Sequence, residues 1–341
     1  MTNSNRLTVR QIAEIAGVSR MTVSRVLNNS PGVAESTRET VERAVSRSGF
    51  VRSRAARALK NGRHGLIDLV VSSFDTDYVT QIVRGFEGAL EPTGYRLVIS
   101  SRSNEDESER QWFNKISDGW TDGAALVLSA GRPARLEALR RLNVPVVVID
   151  HEGGIGSDVP AVGATNWDGA RAATEYLLSL GHRRIGMIRG PSTYRCVAER
   201  VSGYRSAMET ARAPVDESWL REGSFLPGDG YDQTLALLDL PDPPTAIFAG
   251  NDIHAFGCYG ALRKRGLSVP VDMSVVGFDD SFTAALVTPP LTTVRQPLAE
   301  MGRVAAQTLL RLVEGKPLDS PRVELACSIV VRDSCAPPRP S

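Results

Sequence analysis

Residues 8–28 read TVRQIAEIAGVSRMTVSRVLN, and this stretch decides the fold of the amino-terminal part of the chain. Thr8 and Gln11 have the spacing of a capping box, which predicts that a first helix begins there. Apolar side chains then recur at helical spacing, at Val9, Ile12, Ile15 and Ala16. Gly17 follows, where the end of a helix needs a residue that tolerates a left-handed backbone.

A second helix is predicted directly after this glycine. Ser19 can cap it, and its inward side carries Val23, Val26 and Leu27. Its outward side is mostly polar or basic and carries Arg20, Met21, Ser24, Arg25 and Asn28. Two short helices joined by a tight glycine turn predict a helix-turn-helix, whose second helix can enter the major groove of DNA.

A third helix completes the predicted head. Ser36 and Glu39 have the spacing of a second capping box, which predicts a helix over residues 37–47. Gly49 ends this helix, and Phe50 is predicted to close a small core. The residues of this helix that face inward are Val41, Ala44 and Val45.

The charge of the chain is divided unevenly. Residues 1–64 carry twelve Arg or Lys and four Glu, a net charge of +8, whereas the remainder carries 28 basic and 35 acidic residues. A basic head on an acidic body favours contact between the head and a polyanion, although a solvated basic tail would have the same charge. Glycine-turn helix pairs also occur in proteins that never touch DNA. The short polar side chains of the outward face suit phosphate contacts and favour DNA.

The pattern changes beyond residue 64. With 341 residues, of which 42% are hydrophobic, the chain can form two or three domains. Short apolar runs alternate with amphipathic helical stretches, which predicts parallel sheets of a doubly wound α/β fold. The runs cover residues 66–71, 95–100, 124–128, 144–149, 184–188, 246–249 and 274–278.

Ligands of doubly wound sheets bind beyond the carboxyl ends of the strands. The first run is followed by Phe74, Asp75 and Tyr78, the fourth ends at Asp150, and Asn251 and Asp279 follow later runs. Carboxylates and amides can bond hydroxyl groups, and an aromatic face can cover a sugar ring. These residues therefore predict a site for a small polyhydroxylated ligand.

The head resembles the lactose repressor family, which shows A-x-x-A-G-V-S-x-x-T-V-S-R-V-L-N in this place. Twelve positions between Ala13 and Asn28 match without a gap. The resemblance implies that Arg20, Met21 and Arg25 read bases, and that phosphates are contacted by Thr8, Ser24, Asn28 and Thr37. Met21 departs from the polar residue often found there. Because it has no hydrogen-bond donor, it would read groove shape or a thymine methyl group.

Residues 53–61, SRAARALKN, resemble the hinge helix of the same family. Ala56 and Leu59 match the positions that enter the minor groove, where an apolar wedge can kink the duplex. The alternative is a linker helix with Leu59 buried against the body. A wedge needs two copies meeting at the centre of the operator, so a homodimer is implied. No leucine-heptad tail follows residue 334, unlike in the tetrameric relatives.

The resemblance continues through the body. The segments RGPSTYRCVAERVSGY, FAGNDIHAFG, VVGFDDS and LTTVRQP each match a family block. It implies an effector site with Arg200 as the gripping arginine, Phe225 as the ring-covering aromatic, and Asn251 and Asp279 as strand-end contacts. Gln296 falls near the matched edge of the pocket. Arg200 could instead be only a structural ion-pair partner, and Asp252 and Asp280 are predicted as helix caps.

The resemblance implies an all-α helix-turn-helix head and an α/β body like that of periplasmic binding proteins, built from two doubly wound parallel-sheet subdomains. The expected bounds are 1–52 for the head, 53–64 for the hinge and 65–341 for the body. One subdomain is expected at about 65–164 plus 294–325, and the other at 166–292 plus 328–341.

The predicted function is that of a dimeric transcription regulator, a repressor, that binds a pseudo-palindromic operator and responds to a small effector. A sugar or sugar derivative is the expected effector, with nucleosides second. Release of DNA on effector binding is the commoner family behaviour, while promotion of binding is the alternative.

Two other function classes fit the sequence less well. An enzyme with a nucleotide cofactor would need a G-x-G-x-x-G loop, and Gly154-Ile155-Gly156 lacks the third glycine. A periplasmic sugar-binding protein would begin with a signal peptide, but MTNSNRLTVRQ has no apolar run. Without C-x-x-C or H-E-x-x-H spacing, neither a metal nor a cofactor is predicted. Scattered cysteines and the lack of a long apolar segment predict a cytoplasmic protein.

Overall fold

The computed structural model describes residues 7–28, 30–50, 64–71, 76–101, 112, 114, 116, 119–129, 139, 141–151, 155, 156 and 158–339. The chain forms two compact units, a head over Met1–His64 and a body over Gly65–Ser341. The hinge residues Ala56 and Leu59, and the candidate site residues Phe74 and Asp75, lie outside the described residues.

The described residues of the head form three helices, α1 (Val9–Ala16), α2 (Arg20–Leu27) and α3 (Glu35–Ser48). The hydroxyl of Thr8 accepts a hydrogen bond from the backbone N–H of Gln11, whose side chain accepts from the backbone of Thr8, so the predicted capping box is present. Six apolar side chains form the buried core, namely Ile12, Ala13, Val23, Val26, Val41 and Ala44, with Phe50 packed against them.

Two details of the predicted head are wrong. Helix α3 begins at Glu35, and the carbonyl of Ala34 accepts its first hydrogen bonds, so Ser36 already lies inside the first turn and caps nothing. Ile15 is 58% exposed, while Ala13 is buried. Residues of a helix turn by about 100° each, which places Ile15 on the far side of Ile12 from Ala13 and outside the arc that faces α2 and α3.

The first sheet of the body is wholly parallel, in the order β2-β1-β3-β4-β5-β11. Its long strands coincide with predicted apolar runs. The inner strands β1, β3 and β4 are largely buried, whereas the edge strand β2 is mostly exposed. The strands are β1 (Leu66–Val71), β2 (Arg96–Ser101), β3 (Gly123–Ser129), β4 (Val146–His151), β5 (Ala161–Ala164) and β11 (Arg322–Leu325).

The second sheet has the order β7-β6-β8-β9-β10-β12, and only β12 is antiparallel to its neighbour. The strands are β6 (Ile185–Arg189), β7 (Leu220–Glu222), β8 (Ala246–Ala249), β9 (Ser274–Asp279), β10 (Thr292–Arg295) and β12 (Ser328–Val330). The sequence predictions missed β5, β7, β10, β11 and β12. Each spans three or four residues, which is too short for a recognisable pattern.

Helices cover these sheets in pairs. Helices α4 (Asp77–Leu90) and α9 (Leu298–Val313) pack together on the first sheet. Their backbones touch, since a Cβ atom on Gly85 would lie 1.7 Å from the carbonyl oxygen of Ala299. The second sheet is covered on opposite faces by two further pairs, α5 (Asn166–Ser179) with α6 (Arg195–Thr210), and α7 (Pro227–Leu238) with α8 (Asp252–Lys264).

The chain passes between the two sheets three times, after β5, after β10 and after β11. Each sheet with its helices is one subdomain of the body. Helix α9 and strand β11 return to the first subdomain late in the chain, so neither subdomain is made from one continuous segment. Three connections side by side hold the strand ends of both sheets against a common cavity.

Candidate functional site

A cavity of about 200 Å³ lies where strands of both sheets end. Its walls are formed by residues at or after the carboxyl ends of β1, β4, β6, β7, β8 and β9, the location at which doubly wound sheets bind ligands. Six of the nine candidate effector residues border it, namely Tyr78, Asp150, Arg200, Phe225, Asn251 and Asp279.

Arg200 is a buried cation on α6. Its Nε atom donates to Oδ1 of Asn166 at 2.9 Å, and its Nη1 atom donates to the carbonyl oxygen of Gly250 at 2.6 Å. The guanidinium carbon lies 3.8 Å from the centroid of the Phe278 ring. In the described part of the chain no carboxylate forms an ion pair with Arg200. Neutral groups therefore hold the guanidinium in place, and the nearby carboxylates of Asp279 and Asp150 favour its charged form.

Tyr78 and Asp150 form the wall contributed by the first subdomain. The phenol of Tyr78 donates a hydrogen bond to Oδ2 of Asp150 at 2.6 Å. Burial, followed by the negative charge of Asp150, raises the pKa of Tyr78 well above its usual value, so the phenol keeps its proton. Asp150 has a φ of 42°, a conformation that non-glycine residues rarely adopt.

Asp279, at the end of β9, is placed by Gln296. The Nε2 atom of Gln296 donates to Oδ1 of Asp279 at 2.7 Å, and Gln296 itself is 2% exposed and does not line the cavity. Burial raises the pKa of Asp279 to about 6, while the nearby Arg200 lowers it. Asp279 also has a positive φ, 121°. Gln296 thus lies behind the predicted pocket edge and holds the carboxylate of Asp279 in place.

Asp252 and Asp280 do not cap helices as predicted. Asn251 is the N-cap of α8 and accepts from the backbone N–H of His254 at 2.7 Å. The carboxylate of Asp252 instead accepts from the backbone N–H of Ser281 and from the hydroxyl of Thr293. Burial, together with the negative charge of Asp279, raises the pKa of Asp252 to about 8. The carboxylate of Asp280 pairs with two arginines, Arg295 and Arg332.

Phe225 provides an aromatic wall of the cavity. Its ring stacks on that of His254, with a centroid distance of 5.8 Å and an interplanar angle of 23°. The ring of Tyr194 lies 6.1 Å away in a tilted arrangement. Phe225 has a φ of 66°, so three of the candidate residues hold the left-handed region. Such clusters of unusual dihedrals are typical of ligand sites.

The two subdomains touch across the cavity. The backbone N–H of Phe282, in the second subdomain, donates to Oδ2 of Asp77 on α4 at 2.9 Å. Arg195 of α6 reaches Glu324 of β11 at 3.0 Å, although both side chains are substantially exposed. A shift between the subdomains would break these contacts, so the cavity belongs to one particular arrangement of the body.

Sequence reasoning missed several lining residues, which are Thr76, Asp77, Ile253, Phe256, Ser281 and Thr283. Thr76 and Asp77 open the helix that follows β1, while Ser281 and Thr283 follow β9. The rule that ligands lie beyond strand ends could have found these four. Asp252 and Cys196 also line the cavity, and burial raises the pKa of the Cys196 thiol to about 12, which leaves it inert.

The outward face of α2 is the second candidate site. Arg20 and Arg25 are exposed, and Met21 is 67% exposed, so the three candidate base-reading residues share one accessible face. Among the candidate phosphate contacts, Thr8 caps α1 and Asn28 caps α2. Ser24 accepts from Asn28 at 3.4 Å, and Thr37 lies half-buried in the first turn of α3. Helix starts such as that at Thr8 present backbone N–H groups that suit phosphate oxygens.

Two other kinds of site do not occur in the residues that the structure describes. None of their helices combines the length and the apolar character needed to cross a bilayer. Nowhere among them do three or more histidine, cysteine or acidic side chains converge as metal ligands would.

Sequence comparison matches both units to known families. Residues 8–53 match the model of bacterial regulatory proteins of the lacI family, and residues 174–335 match that of a periplasmic binding protein-like domain. The HTH-type transcriptional repressor PurR of Haemophilus influenzae is 32% identical over 331 residues, which cover 96% of this chain and 98% of the relative. PurR of Escherichia coli is 34% identical and is covered over 97% of its length.

Solved structures share the whole architecture. A lac repressor dimer bound to operator and the anti-inducer ONPF superposes with a TM-score of 0.87 and 28% identity, covering 97% of this chain and all of that one. The transcriptional regulator CelR in complex with cellobiose has a TM-score of 0.76 and 33% identity, covering 96% of this chain and all of the other.

Proposed function

The chain belongs to the lacI family of bacterial regulatory proteins, and from this premise we propose how its two units divide the work of a repressor. The protein is a DNA-binding transcription regulator that acts as a dimer and is controlled by a small effector. A two-fold dimer presents two copies of α2 to successive major grooves, so its operator is pseudo-palindromic.

In the head, Arg20, Met21 and Arg25 read the bases. Each arginine can bond a guanine edge bidentately, which is worth about 1–3 kcal/mol of discrimination, whereas Met21 reads a methyl group or groove shape. Thr8, Ser24, Asn28 and Thr37 contact phosphates and fix the register of α2. Residues 53–64 act as the hinge, with Ala56 and Leu59 as the minor-groove wedge. The exposure of the outer face of α2 supports these assignments.

In the body, the cavity binds a sugar or a sugar derivative. Arg200 donates to hydroxyl groups, and Asp150 and Asp279 accept from them. Phe225 covers the apolar face of the ring. The solved CelR complex supports a sugar, because that relative was captured with cellobiose and shares 33% of its sequence with this chain.

The effector acts through the angle between the subdomains. It shifts the equilibrium by the difference between its affinities for the two arrangements, and that difference is the coupling to DNA. Ligand in the cavity would stabilise the arrangement in which Asp77 contacts Phe282, and would thereby move the hinges of the dimer apart. The expected outcome is release of the operator.

Other assignments follow from a role as a sensor. The cavity binds its ligand and returns it unchanged, so the protein is not an enzyme. Because operator DNA in bacteria lies in the cytoplasm, the repressor works there. It needs neither a metal nor a cofactor.

The observation that carries this proposal is that one chain combines an exposed basic reading helix with a cavity lined by the buried Arg200. The test is selection of duplexes from genomic DNA by the full-length dimer at near-physiological salt, which suppresses binding through phosphates alone. An enriched pseudo-palindrome is expected, and its complex should dissociate when the right sugar is added. A lack of any enriched sequence, with or without sugars, would overturn the proposal.

A further inference from the structure

The tip of the Phe225 ring rests against the backbone of Gly190. A Cβ atom added to Gly190 would lie 2.1 Å from Cζ and 2.4 Å from Cε1 of that ring. Ordinary carbon contacts are about 3.5–4.0 Å, so any side chain at position 190 would push the ring away. Gly190 follows β6 directly, and it therefore ties the aromatic wall of the cavity to the end of a central strand.

His254 supports the flat face of the same ring. It is 0% exposed, and neither of its ring nitrogens has a hydrogen bond of normal geometry among the described residues, although the backbone of Ile188 lies near enough to act on the ring. Burial lowers the pKa of His254 to about 4, so the imidazole is neutral at pH 7. A buried polar group without partners destabilises a fold. What the side chain supplies to Phe225 is a flat surface for stacking.

Backbone contacts around His254 fix the position of its ring. A Cβ atom on Gly230 of α7 would lie 2.3 Å from the carbonyl oxygen of His254, so α7 and α8 are in backbone contact at this point. Phe225 itself holds a left-handed backbone, which persists only where neighbours determine it. The ring is thus bounded at its tip by Gly190 and on one face by His254.

We propose that Gly190 and His254 are positioning residues that set the place of the Phe225 ring and thereby restrict the effector to ligands with one flat apolar ring face. A displaced ring would narrow or open the cavity and change which ligands fit. The inference rests on the proposed function, because the place of the ring matters only if the cavity binds an effector.

The first experiment measures the ring directly and needs no ligand. The full-length dimer is labelled at its nine phenylalanines with 2-fluorophenylalanine, which carries the fluorine away from the ring tip, and Phe225→Leu identifies the fluorine signal of Phe225. Gly190→Ala should shift that signal. Gly228→Ala is the matched control, because a Cβ atom at Gly228 meets nothing within 4 Å. An unchanged Phe225 signal in Gly190→Ala would overturn the role of Gly190.

The role of His254 is tested by two substitutions. His254→Ala removes the stacking surface and should broaden or shift the Phe225 signal. His254→Phe keeps a flat ring without nitrogens and should restore the wild-type signal. If His254→Phe behaves like His254→Ala, the nitrogens matter and the stacking role is wrong. Thermal unfolding of each variant identifies any that fail to fold.

The second experiment measures ligand affinity by calorimetry with ribose, glucose and cellobiose as probes. For a sugar that binds wild type, Gly190→Ala and His254→Ala should weaken affinity at least tenfold, while Gly228→Ala and His254→Phe stay within twofold. Equal affinities for all variants would overturn the inference and leave the proposed function intact. If no sugar binds wild type, the proposed sugar class fails, and the fluorine signals alone decide the positioning roles.

Discussion

The head and the body of this repressor build their functional surfaces in opposite ways. In the head, the three candidate base-reading residues lie within six consecutive positions of one helix, above a core of six buried side chains. In the body, the lining of one cavity is drawn from residues between 76 and 283. A local surface needs only a folded helix, whereas a convergent one needs the whole body in place. The two units should therefore fail separately when they are mutated.

Arg200→Ala is expected to have the largest effect, because it should impair the effector response and leave operator affinity nearly unchanged. Removing this cation takes away the charge that faces the cavity, so the effector response should fall at least 100-fold while operator affinity changes little. Operator binding at increasing sugar concentration, followed by fluorescence anisotropy, measures both. Arg205→Ala is the control, since this arginine lies on the same helix but is exposed and paired with Glu217. A normal response in Arg200→Ala would remove this residue from the site.

A core substitution in the head should have the next largest effect. Ile12 is fully buried, and replacement by alanine should cost about 2–5 kcal/mol of unfolding free energy. Calorimetry should show an early transition of the head and an unchanged transition of the body. Ile15→Ala, on the same helix but 58% exposed, should cost less than about 0.5 kcal/mol. A common shift of both transitions would show that the units unfold together.

The sequence predicts structure that depends on near neighbours in the chain better than structure that depends on distant ones. The capping box at Thr8, the left-handed Gly17 and the Ser19 cap depend on neighbours within four residues, and all three are present. The long inner strands were predicted because burial on both faces makes them continuously apolar. Asp77 and Gln296 act through partners about 205 and 17 residues away, and no local pattern marks such contacts. Helix α3 begins two residues before its predicted start, because the backbone carbonyl of Ala34 accepts its first hydrogen bonds. Every residue has such a carbonyl, so no residue type in the sequence marks this start.

Arg20→Ala should weaken the recognition of operator bases. Loss of one bidentate contact costs about 1–3 kcal/mol, so operator affinity should fall roughly 10–100-fold, while affinity for random DNA falls much less. Titrations against both duplexes at one salt concentration measure this difference. Arg10→Ala is the comparison variant, because Arg10 lies on α1 and pairs with Glu14. An equal loss on both duplexes would assign Arg20 to phosphate contact.

The last contrast is a pH dependence confined to the body. Burial raises the pKa of Asp252 to about 8, above its value of about 4 in an unfolded chain. The folded body therefore binds this proton more tightly than the unfolded chain does, and its stability falls as the pH rises from about 4 through 8. Asp252→Asn stays neutral and can keep both hydrogen bonds, so the fall should shrink. Melting temperatures at pH 5 and pH 8 measure this change.

The control for that measurement is Asp239→Asn at an exposed ion pair, which should leave the pH dependence as it is. A wild-type body equally stable at both pH values would mean that Asp252 is ionised throughout. The transition of the head should not follow this pH change, because neither Asp252 nor Asp279 belongs to it.

The three crossings of the chain between the two sheets determine the order in which the parts of each subdomain are synthesised. The ribosome releases strands β1 to β5 first, yet α9, which covers their apolar face with Leu298, Met301 and Ala305, is translated near the end. Until residue 313 has emerged, the nascent first sheet exposes a face that can associate with other chains. A message truncated before α9 would yield a folded reading head on a body prone to aggregation. Synthesis of this repressor thus carries its greatest hazard in the subdomain that is begun first, because its covering helix emerges only after most of the second subdomain has been made.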